Sequence, residues 1–99
     1  MFVTLSTYRA RQGEEDAVIA LHEAWQRHQQ PHAGGYLSGE LLRNVTASRE
    51  FIAIMRFESQ EAALALANDP ERVTWDRRLV SLTEGTSIRT EYTSEWQTS

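Results

Sequence analysis

The sequence predicts an α+β fold in which one antiparallel sheet carries helices on one of its faces. Three observations predict it. Segments with a two-residue apolar alternation are interleaved with segments of helical period, in the order strand, helix, strand, strand, helix, strand. The third strand, Phe51 to Phe57, is apolar on both faces: Phe51, Ala53, Met55 and Phe57 on one, Ile52 and Ile54 on the other, with Arg56 breaking that second row. Such a strand is normally covered on both sides, yet 99 residues form one domain (1–99) with too few elements to cover both. A second copy of the chain is therefore expected on the face bearing Ile52 and Ile54.

The first strand is expected over Phe2 to Arg9, with Val3, Leu5 and Thr7 on one face and Phe2, Thr4, Ser6 and Tyr8 on the other. Gly13 ends it, and Glu14, Glu15 and Asp16 place negative charge at a helix N-terminus. Val18, Leu21, Trp25 and His28 then form an inward stripe, with Glu15, Glu23, Gln26 and Arg27 outward and His22 at the stripe's edge. Pro31 and Gly34-Gly35 close the helix. The second strand spans Tyr36 to Arg43, with Gly39 as a bulge or close-approach point. Asn44 to Ser48 make the hairpin turn into the third strand.

Ser59 is read as the N-cap of a short Ala-rich helix ending at Ala67. Asp69 as N-cap with Pro70 at the first position restarts a helix. Trp75, Leu79 and Leu82 form its stripe, Val73 and Val80 its margins, and Gly85 its end. The last strand is expected over Thr86 to Trp96, with Ile88, Thr90, Tyr92 and Trp96 on one face. The sum is a ferredoxin-like split βαβ arrangement.

A net charge of −4 and the lack of basic runs speak against a nucleic-acid partner. No apolar run reaches the length of a membrane span, and the alternating N-terminus is no secretory leader, so a soluble, cytoplasmic protein is expected. With no cysteine, thiol nucleophiles, disulfides and thiolate metal sites are excluded. His28 and His32 have the spacing of a metal pair, but Pro31 breaks the helix between them and no third ligand is evident, so no metal site is expected.

Phe57-Glu58-Ser59 at the end of the third strand, Glu61-Ala62 opening the helix, the Asp69-Pro70 restart, and Gly34-Gly35-Tyr36 leading into Glu40-Leu41-Leu42-Arg43 together resemble the antibiotic biosynthesis monooxygenase family, from Phe2 to about Trp96. The resemblance implies a homodimeric α+β barrel, with a pocket between each sheet and its own helices. It also implies a monooxygenase that acts on a hydrophobic aromatic molecule, polyketide- or quinol-like, without metal or flavin. Polyketide oxygenases of the family carry Asn and Trp four residues apart on the third strand, where this chain has Ala53 and Phe57. A family Arg on the last helix matches Arg77. The haem-degrading branch uses an Asn, a Trp and a His where this chain has Thr7, Ala65 and Trp75, so that chemistry is not expected.

Within this scheme His28 is the candidate base, since histidine titrates near neutrality, and Arg77 the anion holder, since a guanidinium offers paired donors. Trp25, Tyr36, Phe57 and Trp75, with Thr7, are the expected pocket walls. Two other classes remain open on the same scaffold: a non-catalytic ligand-binding or protective protein, and an isomerase or cyclase using the same pocket.

Overall fold

In the computed structural model, which describes residues 1–28 and 34–98, alternation and helical period resolve into seven elements. They are β1 (Phe2–Ala10), α1 (Glu15–His28), β2 (Tyr36–Arg43), β3 (Glu50–Phe57), α2 (Gln60–Ala67), α3 (Pro70–Leu82) and β4 (Thr83–Thr93). α1 ends at His28, and Pro31 and His32, read from the sequence as a helix break and as half of a metal-spaced pair that was not expected to bind, lie outside the described residues. The strands form one sheet in the order β2-β3-β1-β4, with every neighbouring pair antiparallel. This is the split βαβ arrangement, with α1 linking β1 to β2 and with α2 and α3 linking β3 to β4. None of the described helices is long and apolar enough to cross a membrane.

The local signals act as their chemistry requires. The Ser59 hydroxyl accepts from the Ala62 amide and the Asp69 carboxylate from the Glu71 amide, with Pro70 opening α3. In the β2–β3 turn the Asn44 side chain accepts from the backbone amides of Thr46 and Ala47, at 2.8 and 3.0 Å, an Asx turn that fixes the hairpin. A register irregularity lies between Tyr36 and Ser38. Gly39, three residues past Tyr36, is a close-approach point, because a Cβ there would overlap the Tyr36 hydroxyl.

The last strand differs from expectation. It begins at Thr83, directly after α3, and ends at Thr93, so neither Gly85 nor Trp96 has its expected place. Ala10 and Arg9 keep pairing with Thr83 and Glu84, and the register shift falls between Thr7 and Arg9. Gly85, at φ 72°, absorbs that irregularity inside the strand instead of ending the helix. Trp96 lies beyond the sheet and is 80% exposed.

Helices cover one sheet face. Tyr8, Ala10, Val18, Phe51 and Leu82 form one buried cluster, and Trp25, Tyr36, Phe57, Ala63 and Trp75 form another. The opposite face carries Val3, Leu5, Ile52 and Ile54, all only partly covered. Next to them stand the exposed Leu42, Ile88 and Tyr92. On this open face the half-buried Arg56 reaches Glu40 at 3.9 Å.

Candidate functional site

Between α1 and the β2–β3 half of the sheet lies a cavity of about 360 Å³, open to solvent at one side. Its floor is Leu41, Phe51, Ala53 and Met55 from the strands, and its roof is Ile19, His22 and Trp25 from α1. Arg72 enters from α3, Tyr36 closes one end, and the exposed Glu23, Gln26, Glu40 and Arg43 stand at the rim.

Arg72 is the group that gives the cavity its chemistry. Its guanidinium carbon lies 3.9 Å from the centroid of the Trp75 ring and 4.8 Å from that of Trp25. The faces of these indoles are electron-rich and hold the cation. Its Nε reaches the Asp76 carboxylate at 3.4 Å, one helical turn on, and its Nη2 donates to Met55 Sδ at 3.6 Å. Burial lowers the affinity of this guanidinium for its proton, and the neighbouring Asp76 opposes that shift. The same burial raises the Asp76 carboxyl above its usual range, against the pull of Arg72.

His22 sits beside it. Its Nε2 is hydrogen-bonded to the Tyr8 hydroxyl, its ring lies parallel to the Tyr8 ring at 5.9 Å, and the edge of Trp75 meets it at 4.9 Å. Burial, aided by the positive charge of Arg72, lowers the imidazole from its ordinary 6.5 to about 4, so His22 is neutral at physiological pH. Desolvation moves the Tyr8 phenol the other way, well above its usual range, and it stays protonated. Two further bonds fix the walls: Trp75 Nε1 donates to the Leu21 carbonyl at 3.1 Å, and the Tyr36 hydroxyl donates to Gln26 Oε1 at 3.3 Å. Burial raises the Tyr36 phenol as well.

Among the residues expected at the pocket, Trp25 and Tyr36 line this cavity. Trp75 stands behind His22 and Arg72. Phe57 packs edge-on against Tyr36 at 5.7 Å and lines a smaller cleft of about 120 Å³ below α2 and α3. Thr7 points to the open sheet face, where it borders a separate surface hollow. His28 and Arg77 are both exposed and neither lines the cavity.

The reason is rotational. Ten residues separate Val18 from His28, which at about 100° per residue turns the side chain roughly 80° away from Val18, and His28 is also the last residue of its helix. His22, one turn after Val18, stays on the covered side. Arg77 falls between the inward positions Trp75 and Leu79, whereas Arg72, Trp75, Leu79 and Leu82 continue one stripe at spacings of three, four and three. That spacing is the signal by which Arg72 is legible in the sequence.

No family model matches the chain, and no curated protein matches it in sequence. Solved structures do. A protein named as an antibiotic biosynthesis monooxygenase from Nitrosomonas europaea superposes with TM-score 0.83 at 14% identity, covering 97% of this chain and 100% of its own. SnoaB from Streptomyces nogalater, described as a cofactor-independent oxygenase and solved as its N63A mutant, gives 0.77 at 17% identity over 97% and 94%. A protein from Deinococcus radiodurans, also named as an antibiotic biosynthesis monooxygenase, gives 0.79 at 17% identity over 100% and 97%. Identities this low speak for the fold and not for the reaction. The chain has the antibiotic biosynthesis monooxygenase fold.

Proposed function

We propose that the chain is a monooxygenase needing no metal or flavin, which binds a flat, ionisable aromatic molecule such as a phenol or enol in the α1–sheet cavity. The observation that carries this reading is Arg72, a buried cation with one half-exposed carboxylate for a partner and two indoles around it. A charge only partly compensated in such surroundings is costly, and an anionic ligand in the cavity offsets that cost. The other charges at the cavity, Glu23, Glu40 and Arg43, are at the exposed rim, where solvent screens them. The description of SnoaB, on the same fold, points the same way.

In this reading Arg72 takes over the anion-holding role expected of Arg77, and His22 rather than His28 is the histidine at the ligand. The bound phenol or enol loses its proton to water at the open rim, because the guanidinium favours the anion. The delocalised carbanion gives one electron to dioxygen, and the two radicals combine into a C–O bond. The peroxide anion so formed takes a proton back from water at the rim, and the hydroperoxide loses water to leave a carbonyl, so a CH2 group and O2 become C=O and H2O. The protein contributes the dry aromatic walls and the positive charge where negative charge develops.

We also propose that the chain pairs with a second copy through the open sheet face, as Val3, Leu5, Ile52, Ile54, Ile88 and Tyr92 on one face of one sheet support.

Oxygen uptake tests the activity. With a hydroxyanthrone in air-saturated buffer, the protein is expected to accelerate uptake over buffer alone, with one O2 consumed per substrate. The wholly apolar strand floor, Phe51, Ala53 and Met55, favours a second reading, a protein that binds the ligand and protects it. No acceleration, together with a rise in melting temperature on adding the substrate, would establish that reading instead. Substrate conversion without oxygen uptake would indicate an isomerase or cyclase.

A further inference from the structure

We propose that Tyr8 is a positioning residue: it holds His22 in the tautomer that carries its proton on Nδ1, so that His22 meets the ligand as an N–H donor and not as a base. This rests on reading the α1–sheet cavity as the ligand site.

The Tyr8 side chain is buried, and a phenol has one proton to donate. Among the described residues its hydroxyl has one hydrogen-bond partner, Nε2 of His22. If Nε2 carried the imidazole proton, two donors would face each other, or the phenol proton would be left without an acceptor in a desolvated place. With the proton on Nδ1, the phenol donates to a bare Nε2 and both groups are satisfied. A phenolate at Tyr8 would reverse the assignment, but burial keeps the phenol protonated. An imidazolium would abolish it, but burial and Arg72 keep His22 neutral.

The groups around the ring agree. Tyr8 reaches it from β1, and Trp75 and Arg72 from α3, with Asp76 behind Arg72. Glu23, the next residue in α1, stands at the exposed rim. Nδ1 has no hydrogen-bond partner among the described residues, while the ring lines the cavity. Arg72 and His22 both line the cavity, so in this proposal a positive charge and an Nδ1–H donor are offered to the ligand oxygen, the pattern that stabilises an enolate or phenolate. Neutral histidine is suited to that electrophilic role. The ligand class follows: a carbonyl, enol or phenol oxygen on an aromatic frame, acidic enough to ionise without a strong protein base.

Long-range 1H–15N correlation spectra of 15N-histidine-labelled protein test this directly, because protonated and bare imidazole nitrogens resonate far apart. In the free wild-type protein His22 is expected with Nδ1 protonated and Nε2 bare. Tyr8→Phe keeps the ring and removes the hydroxyl, so the expected result is a shift toward the Nε2-protonated form. Adding 4-nitrophenolate should move the His22 Nδ1 proton downfield in the wild type, and Tyr8→Phe should bind it about tenfold more weakly, the worth of a hydrogen bond to a charged group. An Nε2-protonated His22 in the free wild type would overturn the proposal, as would a tautomer unchanged in Tyr8→Phe, whatever happens to the melting temperature. The tautomer is read without ligand or turnover, so failure of the oxygenase reading leaves this result standing.

Discussion

The guanidinium of Arg72 lies 3.9 Å above the ring of Trp75, and both side chains come from the same helix, three residues apart. The indole that buries the cation is in turn tied to α1 through the Leu21 carbonyl, so packing of α3 on α1 and placement of the charge are one event. Arg72 is there at a cost in desolvation, which cation–π attraction and Asp76 only partly offset. Replacing it with a methionine of similar reach removes the charge and keeps the apolar stem. Arg72→Met is expected to change unfolding free energy by less than about 2 kcal/mol, checked by urea denaturation. A loss well above that would make Arg72 a structural residue first.

Acid sensitivity follows from His22. Its folded-state value lies below the unfolded 6.5, at about 4, so the unfolded chain binds more protons between those two values. The contribution to stability is complete above pH 6.5 and is lost as pH falls toward 4, by up to about 3 kcal/mol. Comparing wild type with His22→Gln at pH 7 and pH 4.5 isolates the effect, because Asp76, whose raised carboxyl acts in the opposite direction, is present in both. The stability difference between the two proteins should shrink by about 2 to 3 kcal/mol at the lower pH. Parallel curves would contradict the burial of His22.

Gly39 is the place where β2 makes room for Tyr36. Gly39→Ala should cost about 1–3 kcal/mol by overpacking, since the new Cβ meets the Tyr36 hydroxyl and breaks its bond to Gln26. In the double variant with Tyr36→Phe the remaining contact is the ring carbon Cζ at 3.3 Å, so most of the loss should be recovered. Thermal melts of the four proteins form the cycle, and additive losses would count against the clash.

The open sheet face makes the assembly testable. Ile54→Arg puts a charge among Ile52, Leu5 and Leu42 and should weaken dimerisation, measured by sedimentation at micromolar concentration. A wild-type chain sedimenting at 11.3 kDa would contradict the pairing itself.

The sequence was legible where local chemistry is decisive. Tyr36 to Arg43, the Ser59 cap and the Asp69-Pro70 restart need only backbone rules. The strand start at Thr83 was not legible, because Gly85 reads as a helix end unless its pairing opposite Thr7 and Arg9 is known. The site was half legible. Trp25, Tyr36 and Trp75 stand out by type and spacing, but choosing His22 over His28 requires knowing how far α1 runs over the sheet. Tyr8 acquires a role only when β1 lies beneath α1. Arg72 hides as an ordinary helix-surface arginine until its spacing with Trp75, Leu79 and Leu82 is followed.

The central claim is that Arg72 makes the α1–sheet cavity a site for an aromatic anion, and 4-nitrophenol tests it most directly because its phenolate absorbs in the visible. Titrated into the protein at a pH below its solution pKa, the dye is expected to bind as phenolate and turn yellow, with Arg77→Met behaving like wild type and Arg72→Met weakened at least about tenfold, the scale of one charge-assisted contact. Binding of the colourless phenol, or equal binding by Arg72→Met and wild type, would contradict the account.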